Sequence, residues 1–200
     1  MDPNPLHILI LAAGASSRMG ARDKLLEPVD GVPLLTRLAA EALRSGCPTT
    51  VVLPPDRPLR QEALAGLPVR QVIALHARDG MAESLKSGLL DLPEAADVLL
   101  VLADLPEIGA EDLMAMIRAH AAHPGRIIRA TSQAGMPGHP VLFPARLRPA
   151  LLRLKGDQGA RDILRTEADQ ILPLPLPGSR AVTDLDTPED WAAWRALRGG

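Results

Sequence analysis

Between Leu11 and Lys24 the chain reads Leu11-Ala12-Ala13-Gly14-Ala15-Ser16-Ser17-Arg18-Met19-Gly20-Ala21-Arg22-Asp23-Lys24. An apolar run enters a stretch of small and hydroxyl-bearing residues, and cations follow at intervals. Small side chains let backbone N–H groups close on the oxygens of a ligand, which is how a loop cradles phosphate. Arg18 offers a planar fork and Lys24 a point charge, both suited to neutralising a polyphosphate. The spacing is neither the G-x-x-x-x-G-K-[ST] of a P-loop nor G-x-G-x-x-G, because Gly14 and Gly20 are its only glycines. The residue types alone leave two readings open, a phosphate-binding loop and a surface turn with incidental charges.

Carboxylates supply the other half of a possible site. Asp104 follows the apolar run Val98–Ala103 and precedes Leu105-Pro106. An aspartate at the carboxyl end of a strand suits Mg²⁺, a hard cation that takes few protein oxygens; the competing reading is a turn residue ahead of proline. Asp184 and Asp186 alternate in an extended segment and share a face, so spacing does not choose between them. Ser84 stands early in a helical stretch, where N–H groups attract anions and where a small packed residue is equally at home. His139, between Gly138 and Pro140, has no partners at zinc-ligand spacing. Asp157 and Arg161 are four apart and either pair on a helix or face a ligand together. His7, His120 and His123 read as strand or surface residues, and Thr187, Glu189 and Asp190 as helix-capping residues.

The elements that must position these groups follow from periodicity. Short apolar runs at His7–Ala12, Thr50–Leu53, Val69–Leu75, Asp97–Ala103 and Arg126–Ala130 read as strands covered on both faces. Leu34–Leu43, Leu59–Leu64, Met81–Leu90 and Leu113–His120 read as helices, with Met81, Leu85, Gly88 and Leu89 sharing one face of the third. That alternation predicts a mostly parallel sheet with helices on both sides. Towards the C-terminus, Val141–Phe143 predicts a short strand, and Arg146–Leu154 and Ala160–Arg165 short helices. The prolines of Ile171–Leu176 suit an edge strand. Thr187 as N-cap, with Pro188 at the first position and Asp190 at the third, opens a terminal helix.

Bulk properties narrow the function classes. The chain has 200 residues, 46% of them hydrophobic and 23% charged, which suits one α/β domain over residues 1–200 and excludes disorder. A net charge of −2 and 2% aromatics argue against a nucleic-acid or anionic-lipid surface. Cys47 is the only cysteine, so no internal disulfide forms. The N-terminal residues lack a signal-peptide pattern, and no apolar run nears the roughly 20 residues of a membrane helix. A cytoplasmic protein is the expectation.

Taken in order, the motifs resemble a known family. The Leu11–Lys24 stretch is similar to the L-A-A-G-x-S-x-R-M-G…K signature of nucleotidyltransferases related to molybdenum-cofactor cytidylyl- and guanylyltransferases, the MobA-like NTP transferases. Gly80-Met81-Ala82-Glu83-Ser84-Leu85-Lys86-Ser87-Gly88-Leu89 resembles that family's G-M-x-x-S-L-x-x-G-L helix, and Asp104-Leu105-Pro106 its D-M-P. Met136–Pro140 resembles G-x-P-G-H-P, Gly156–Arg161 resembles G-D-x-G-x-R, and Asp184–Asp190 resembles D-I-D-T-P-E-D. His76 matches a base-side polar position only loosely.

The resemblance implies a Rossmann-like, three-layer nucleotide-diphosphosugar transferase fold of the glycosyltransferase-A type. In it, residues 1 to about 105 would bind nucleotide and residues 106–200 the acceptor. It implies nucleotide binding by Leu11, Ala12, Ala13, Gly14, Arg18, Lys24, Gly80 and Ser84, and catalysis by Arg18, Lys24 and Asp104. Mg²⁺ would sit on Asp104 and Asp184, with Asp186 the less favoured second ligand. Gly138, His139, Pro140, Asp157 and Arg161 would face the acceptor. The implied reaction moves CMP from CTP to the phosphate of a molybdopterin-type cofactor. A client molybdoenzyme or its chaperone is the further expected partner. CTP is favoured because guanylyl members tend to carry L-A-G-G, and Ala13 occupies the position of that extra glycine. Guanylyl transfer, cytidylyl or uridylyl transfer to a sugar or polyol phosphate, and a non-catalytic cofactor chaperone are the competing readings.

Overall fold

The computed structural model describes residues 5–20, 22–156 and 159–198. The chain opens with β1 (Leu6–Leu11), a small hairpin of β2 (Pro28–Val29) and β3 (Val32–Pro33), α1 (Leu34–Leu43) and β4 (Thr49–Leu53). There follow α2 (Pro58–Glu62), β5 (Arg70–Ile73), α3 (Met81–Asp91), β6 (Asp97–Leu102) and α4 (Ala110–Ala122). The last third holds β7 (Ile127–Thr131), β8 (Pro137–Phe143), α5 (Arg148–Leu151), α6 (Arg161–Thr166), β9 (Ile171–Pro175) and α7 (Pro188–Arg198).

Among the described residues the main sheet has seven strands in the order β5-β4-β1-β6-β8-β7-β9. β5, β4, β1 and β6 are parallel, β8 runs antiparallel between β6 and β7, and β9 is parallel to β7 at the edge. Side chains of β1 alternate between the two faces, as a strand requires. Ile8 and Ile10 join α1, α4, Trp191 and Trp194 on one side; Leu9 and Leu11 join Leu85 and Leu89 of α3 on the other. The expected three-layer α/β architecture with a mostly parallel sheet is therefore what the chain forms.

Strand order reverses between β1 and β6, and both end at one level, with Leu11 opposite Leu102. In open α/β sheets the crevice beyond the strand ends at such a reversal is where ligands bind. The Leu11–Lys24 loop and Asp104 leave the sheet at this point. α3 can lie close over β1 because a Cβ at Gly88 would come within 2.6 Å of Leu9 Cδ1 and 2.7 Å of Val52 Cγ2. That contact aims the first turn of α3 at the crevice.

Five sequence expectations change. Val69–Leu75 is not covered on both faces: β5 lies at the edge of the sheet, and Arg70, Gln71 and Ile73 are exposed. Met81 does not share the buried face of Leu85 and Leu89; it is 42% exposed, because the first turn of α3 projects beyond the sheet. The expected helix over Arg146–Leu154 divides into a 3-10 turn, Ala145–Leu147, and the four residues of α5, where Pro149 sits at the start because it cannot donate an interior hydrogen bond. His120 is not a surface residue: its Nε2 lies 2.8 Å from Asp97 Oδ2 and its side chain is 12% exposed. The strand expected at Val141–Phe143 extends back to Pro137. No helix among the described residues is long and apolar enough to cross a membrane.

Candidate active site

The Leu11–Lys24 loop is shaped by its own sequence and by one distant arginine. Ser16 adopts a left-handed conformation at φ 53°, ahead of a 3-10 turn over Ser17–Met19 whose Met19 plugs into the core. Asp23 caps the next turn, accepting from Leu25 N at 3.1 Å. Arg60, in α2, is fully buried beneath the loop. Its Nη1 donates to the carbonyls of Ala12 (2.5 Å) and Gly14 (2.8 Å), and its Nη2 to Ser16 Oγ (2.9 Å) and Asp23 Oδ1 (2.9 Å). Nε completes the set with Asp23 Oδ2 at 2.7 Å. Burial works against the Asp23 carboxylate, but hydrogen bonds and charge from Arg60 outweigh it and hold the group below the ordinary aspartate range.

Arg60 did not emerge from sequence. It sits in an unremarkable short helix, and its partners lie 37 to 48 residues away. Breaking a buried ion pair by removing one partner leaves an uncompensated charge. Arg60→Met is expected to destabilise the fold by about 3–5 kcal/mol. Urea unfolding measures this, and a loss below about 1 kcal/mol would show that the loop does not depend on the pair.

At the crevice, Lys24 Nζ donates to Asp104 Oδ2 (2.6 Å) and Asp186 Oδ1 (2.5 Å), and Arg18 donates to the other oxygen of Asp186. Burial alone would lower the Lys24 ammonium; the two carboxylates outweigh it and raise the group above the ordinary lysine value. Asp104 Oδ1 is buried and meets no donor. Burial and the neighbouring Asp104 charge push the Asp184 carboxyl above its ordinary value. The segment carrying Asp184 and Asp186 is anchored at both ends. Leu185 N donates to the Asp104 carbonyl at 3.4 Å. At the start of α7, Asp190 N donates to Thr187 Oγ1 (3.1 Å), and Asp190 Oδ2 accepts from Thr187 N (2.9 Å) and Asp186 N (3.2 Å). This is the expected capping box, and it also fixes where Asp186 stands.

Two cavities meet at Asp104. One, of about 310 Å³, is lined by Leu11, Ala12, Ala13, Gly14, Lys24, Gly80 and Ser84, all expected at the nucleotide, and by Asp104, expected as metal ligand. Arg18 stands outside it, 69% exposed, against Asp186. The other, of about 400 Å³, is lined by Gly138, His139, Arg161, Asp104 and Asp184, over a floor that includes Leu100 and Phe143. Pro140 lies behind this wall, joined to His139 by a cis peptide bond. Asp157 falls outside the described residues, so its pairing with Arg161 does too.

Gly138 accounts for the placement of His139. A Cβ at Gly138 would overlap the Ala181 carbonyl, and His139 N donates to that same carbonyl at 2.9 Å. Burial, and then the charge of Arg129, lower His139 to about 4, only partly offset by Asp104, so its ring is neutral at physiological pH. Arg129 also lines this cavity and was not singled out in the sequence. Its signal was there: a charged residue set between the apolar Ile127-Ile128 and Ala130.

Sheet order and site together place the chain in the nucleotidyltransferase-like class of α/β folds. A MobA-like NTP transferase domain matches residues 8–171, and the chain belongs to that family. A probable molybdenum cofactor guanylyltransferase of Nostoc is 32% identical over 193 residues, 94% of this chain and 90% of that one. A nicotine blue oxidoreductase of Paenarthrobacter nicotinovorans is 31% identical over 189 residues, 90% and 92% of the two chains. The bifunctional protein GlmU of Xanthomonas campestris is 36% identical over 126 residues; that match covers 62% of this chain but only 27% of the longer relative. Among solved structures, Rv0371c of Mycobacterium tuberculosis superposes with a TM-score of 0.83 at 25% identity, covering 96% of this chain and 98% of that one. A manganese complex of Rv0371c gives 0.76 at 22% identity, covering 96% and 97%.

Proposed function

We propose that this chain transfers CMP from CTP to the phosphate of a molybdopterin-type cofactor and releases pyrophosphate. The observation that carries the reading is the junction of two cavities at Asp104, with cations on one side and further carboxylates beside it. One cavity takes the nucleoside triphosphate on the Ala12–Gly14 backbone, and the other brings an acceptor oxygen to the α-phosphorus. That oxygen forms the new P–O bond as the bond to the pyrophosphate breaks. A phosphate is already a competent nucleophile, so the protein supplies position and charge stabilisation and needs no covalent intermediate.

Asp104 and Asp184 suit a hard divalent cation such as Mg²⁺. Asp104 Oδ1 is an oxygen without a donor, and Asp186 is engaged by Lys24 and Arg18. Mg²⁺ takes few protein oxygens and keeps waters and substrate phosphates as ligands, so two carboxylates are enough to hold it. Bound there, the ion would neutralise charge on the transferring phosphate. Lys24 and Arg18 would turn from the carboxylates to the leaving pyrophosphate. The name of the Nostoc relative and the Gly138-His139-Pro140 and Gly156–Arg161 motifs support the cofactor as acceptor.

The donor rests on Ala13. Its side chain is nearly buried in the nucleotide cavity wall, at the position where guanylyl members tend to carry glycine. CTP is expected to support pyrophosphate release with purified molybdenum cofactor and GTP is not, in a release assay run with four nucleotides. Equal use of both would remove the argument from Ala13. A sugar or polyol phosphate acting as well as the cofactor would move the chain to that acceptor class. Tight cofactor binding without release under saturating nucleotide and Mg²⁺ would make it a binder. The oxidoreductase name of one relative means that overall identity does not choose the chemistry; the paired cations and carboxylates favour phosphoryl transfer.

A further inference from the structure

The acceptor-side cavity carries a charge arrangement that its apolar floor does not explain. Arg129, from the middle of β7, and Arg161, from the first residue of α6, both line it. Among the described residues neither meets a carboxylate within ion-pair distance, whereas Arg60, Arg70, Arg180 and Arg195 each do. The only hydrogen bond described for Arg129 is a long one, 3.4 Å from Nε to the Gly138 carbonyl. Burial lowers the Arg129 guanidinium and the charge of Arg161 lowers it further, which marks the two as neighbours that repel. His139, neutral beside them, adds no third charge. Arg129 is half-buried and Arg161 exposed; two guanidinium groups on one cavity wall with no carboxylate partner among the described residues repel each other, and an anion between them relieves that repulsion.

We infer that Arg129 and Arg161 form a two-armed clamp for the phosphate monoester of the acceptor, with Arg129 the residue that selects a doubly charged group. The clamp rests on the proposed transfer reaction, deepening it by naming the residues that hold the acceptor phosphate. A guanidinium presents paired N–H groups that match phosphate oxygens, so two of them can hold a dianion and leave one oxygen directed towards Asp104. An alcohol or a thiol acceptor would leave both cations unpaired. Arg129 approaches from the sheet and Arg161 from a helix, and so a group held between them is fixed in orientation as well as in charge.

The test uses phenyl phosphate, a flat monoester, titrated into the protein by ³¹P NMR. Arg129→Met is expected to weaken its binding by about tenfold or more, the usual cost of a lost charge-assisted hydrogen bond. Arg70→Met, at an exposed arginine that lines neither cavity, should leave the affinity within about twofold. Thermal unfolding establishes that each variant is folded, and Arg129→Gln replaces the Met variant where that one does not fold. Unchanged affinity in the folded Arg129 variant, or an equal loss with Arg70→Met, overturns the clamp. So does an absence of saturable binding to the wild-type protein. Binding is read without turnover, so the two readings separate. Arg129-dependent binding with no pyrophosphate release on any acceptor keeps the clamp and removes the transferase reading, and the reverse result does the opposite.

Discussion

Asp104→Ala is expected to slow pyrophosphate release by on the order of 10²-fold or more, the scale on which lost transition-state charge stabilisation is felt. β6 ends at Leu102, and Asp104 stands two residues on, where the nucleotide and acceptor cavities join. One of its oxygens is held by Lys24 and the other has no partner, so the carboxylate is oriented and still has capacity for a cation. Asp104→Asn separates charge from shape, since it keeps the side-chain volume and removes the negative charge. A Mg²⁺ titration of the Asn variant should show a raised half-saturating concentration alongside the lower rate. Near-wild-type turnover in Asp104→Ala would remove Asp104 from the chemistry, and a lower rate with unchanged Mg²⁺ dependence would assign it to positioning Lys24 instead.

Periodicity made the strand end legible, and the resemblance of Asp104-Leu105-Pro106 to a family motif chose a metal ligand over a turn residue there. Short apolar runs such as Val98–Ala103 read as strands covered on both faces, and the carboxyl ends of parallel strands are where ligands collect. The terminal cap was equally readable, because Thr187, Pro188 and Asp190 act over four consecutive residues. What escaped was set by contacts between distant segments. Arg60 serves a loop some forty residues earlier in the chain, and nothing in α2 announces it. Met81 followed helical spacing onto an apolar face, but spacing does not reveal where the sheet beneath a helix stops. His120 looked like a solvated residue near a helix end until Asp97, 23 residues earlier, supplied its partner. The β2–β3 hairpin spans two residues on each side and is too short for any alternation to register. Local rules thus locate strand ends and caps, whereas buried polar supports are written in tertiary geometry.

Lys24→Ala carries the second large effect, again on the order of 10²-fold or more in turnover. Lys24 is the mostly buried cation that touches both Asp104 and Asp186, so it joins the end of β6 to the segment ahead of α7. Its ammonium is held above the ordinary lysine value by those carboxylates. A group raised in the folded state contributes stability that is fully present below its unfolded pKa and is lost only as pH rises through the folded one. Lys24 is therefore charged throughout the neutral range, and the stability gap between wild type and Lys24→Ala should be flat from about pH 6 to 9. Turnover separates its two roles. If Lys24 neutralises the leaving pyrophosphate, Lys24→Arg keeps the charge and recovers part of the rate, while Lys24→Met stays as slow as alanine. If it only spaces the carboxylates apart, Asp186→Asn should restore activity to Lys24→Ala by removing one of the charges it separates. Near-wild-type turnover in Lys24→Ala itself would leave the Leu11–Lys24 loop without its central cation and sink the proposed site.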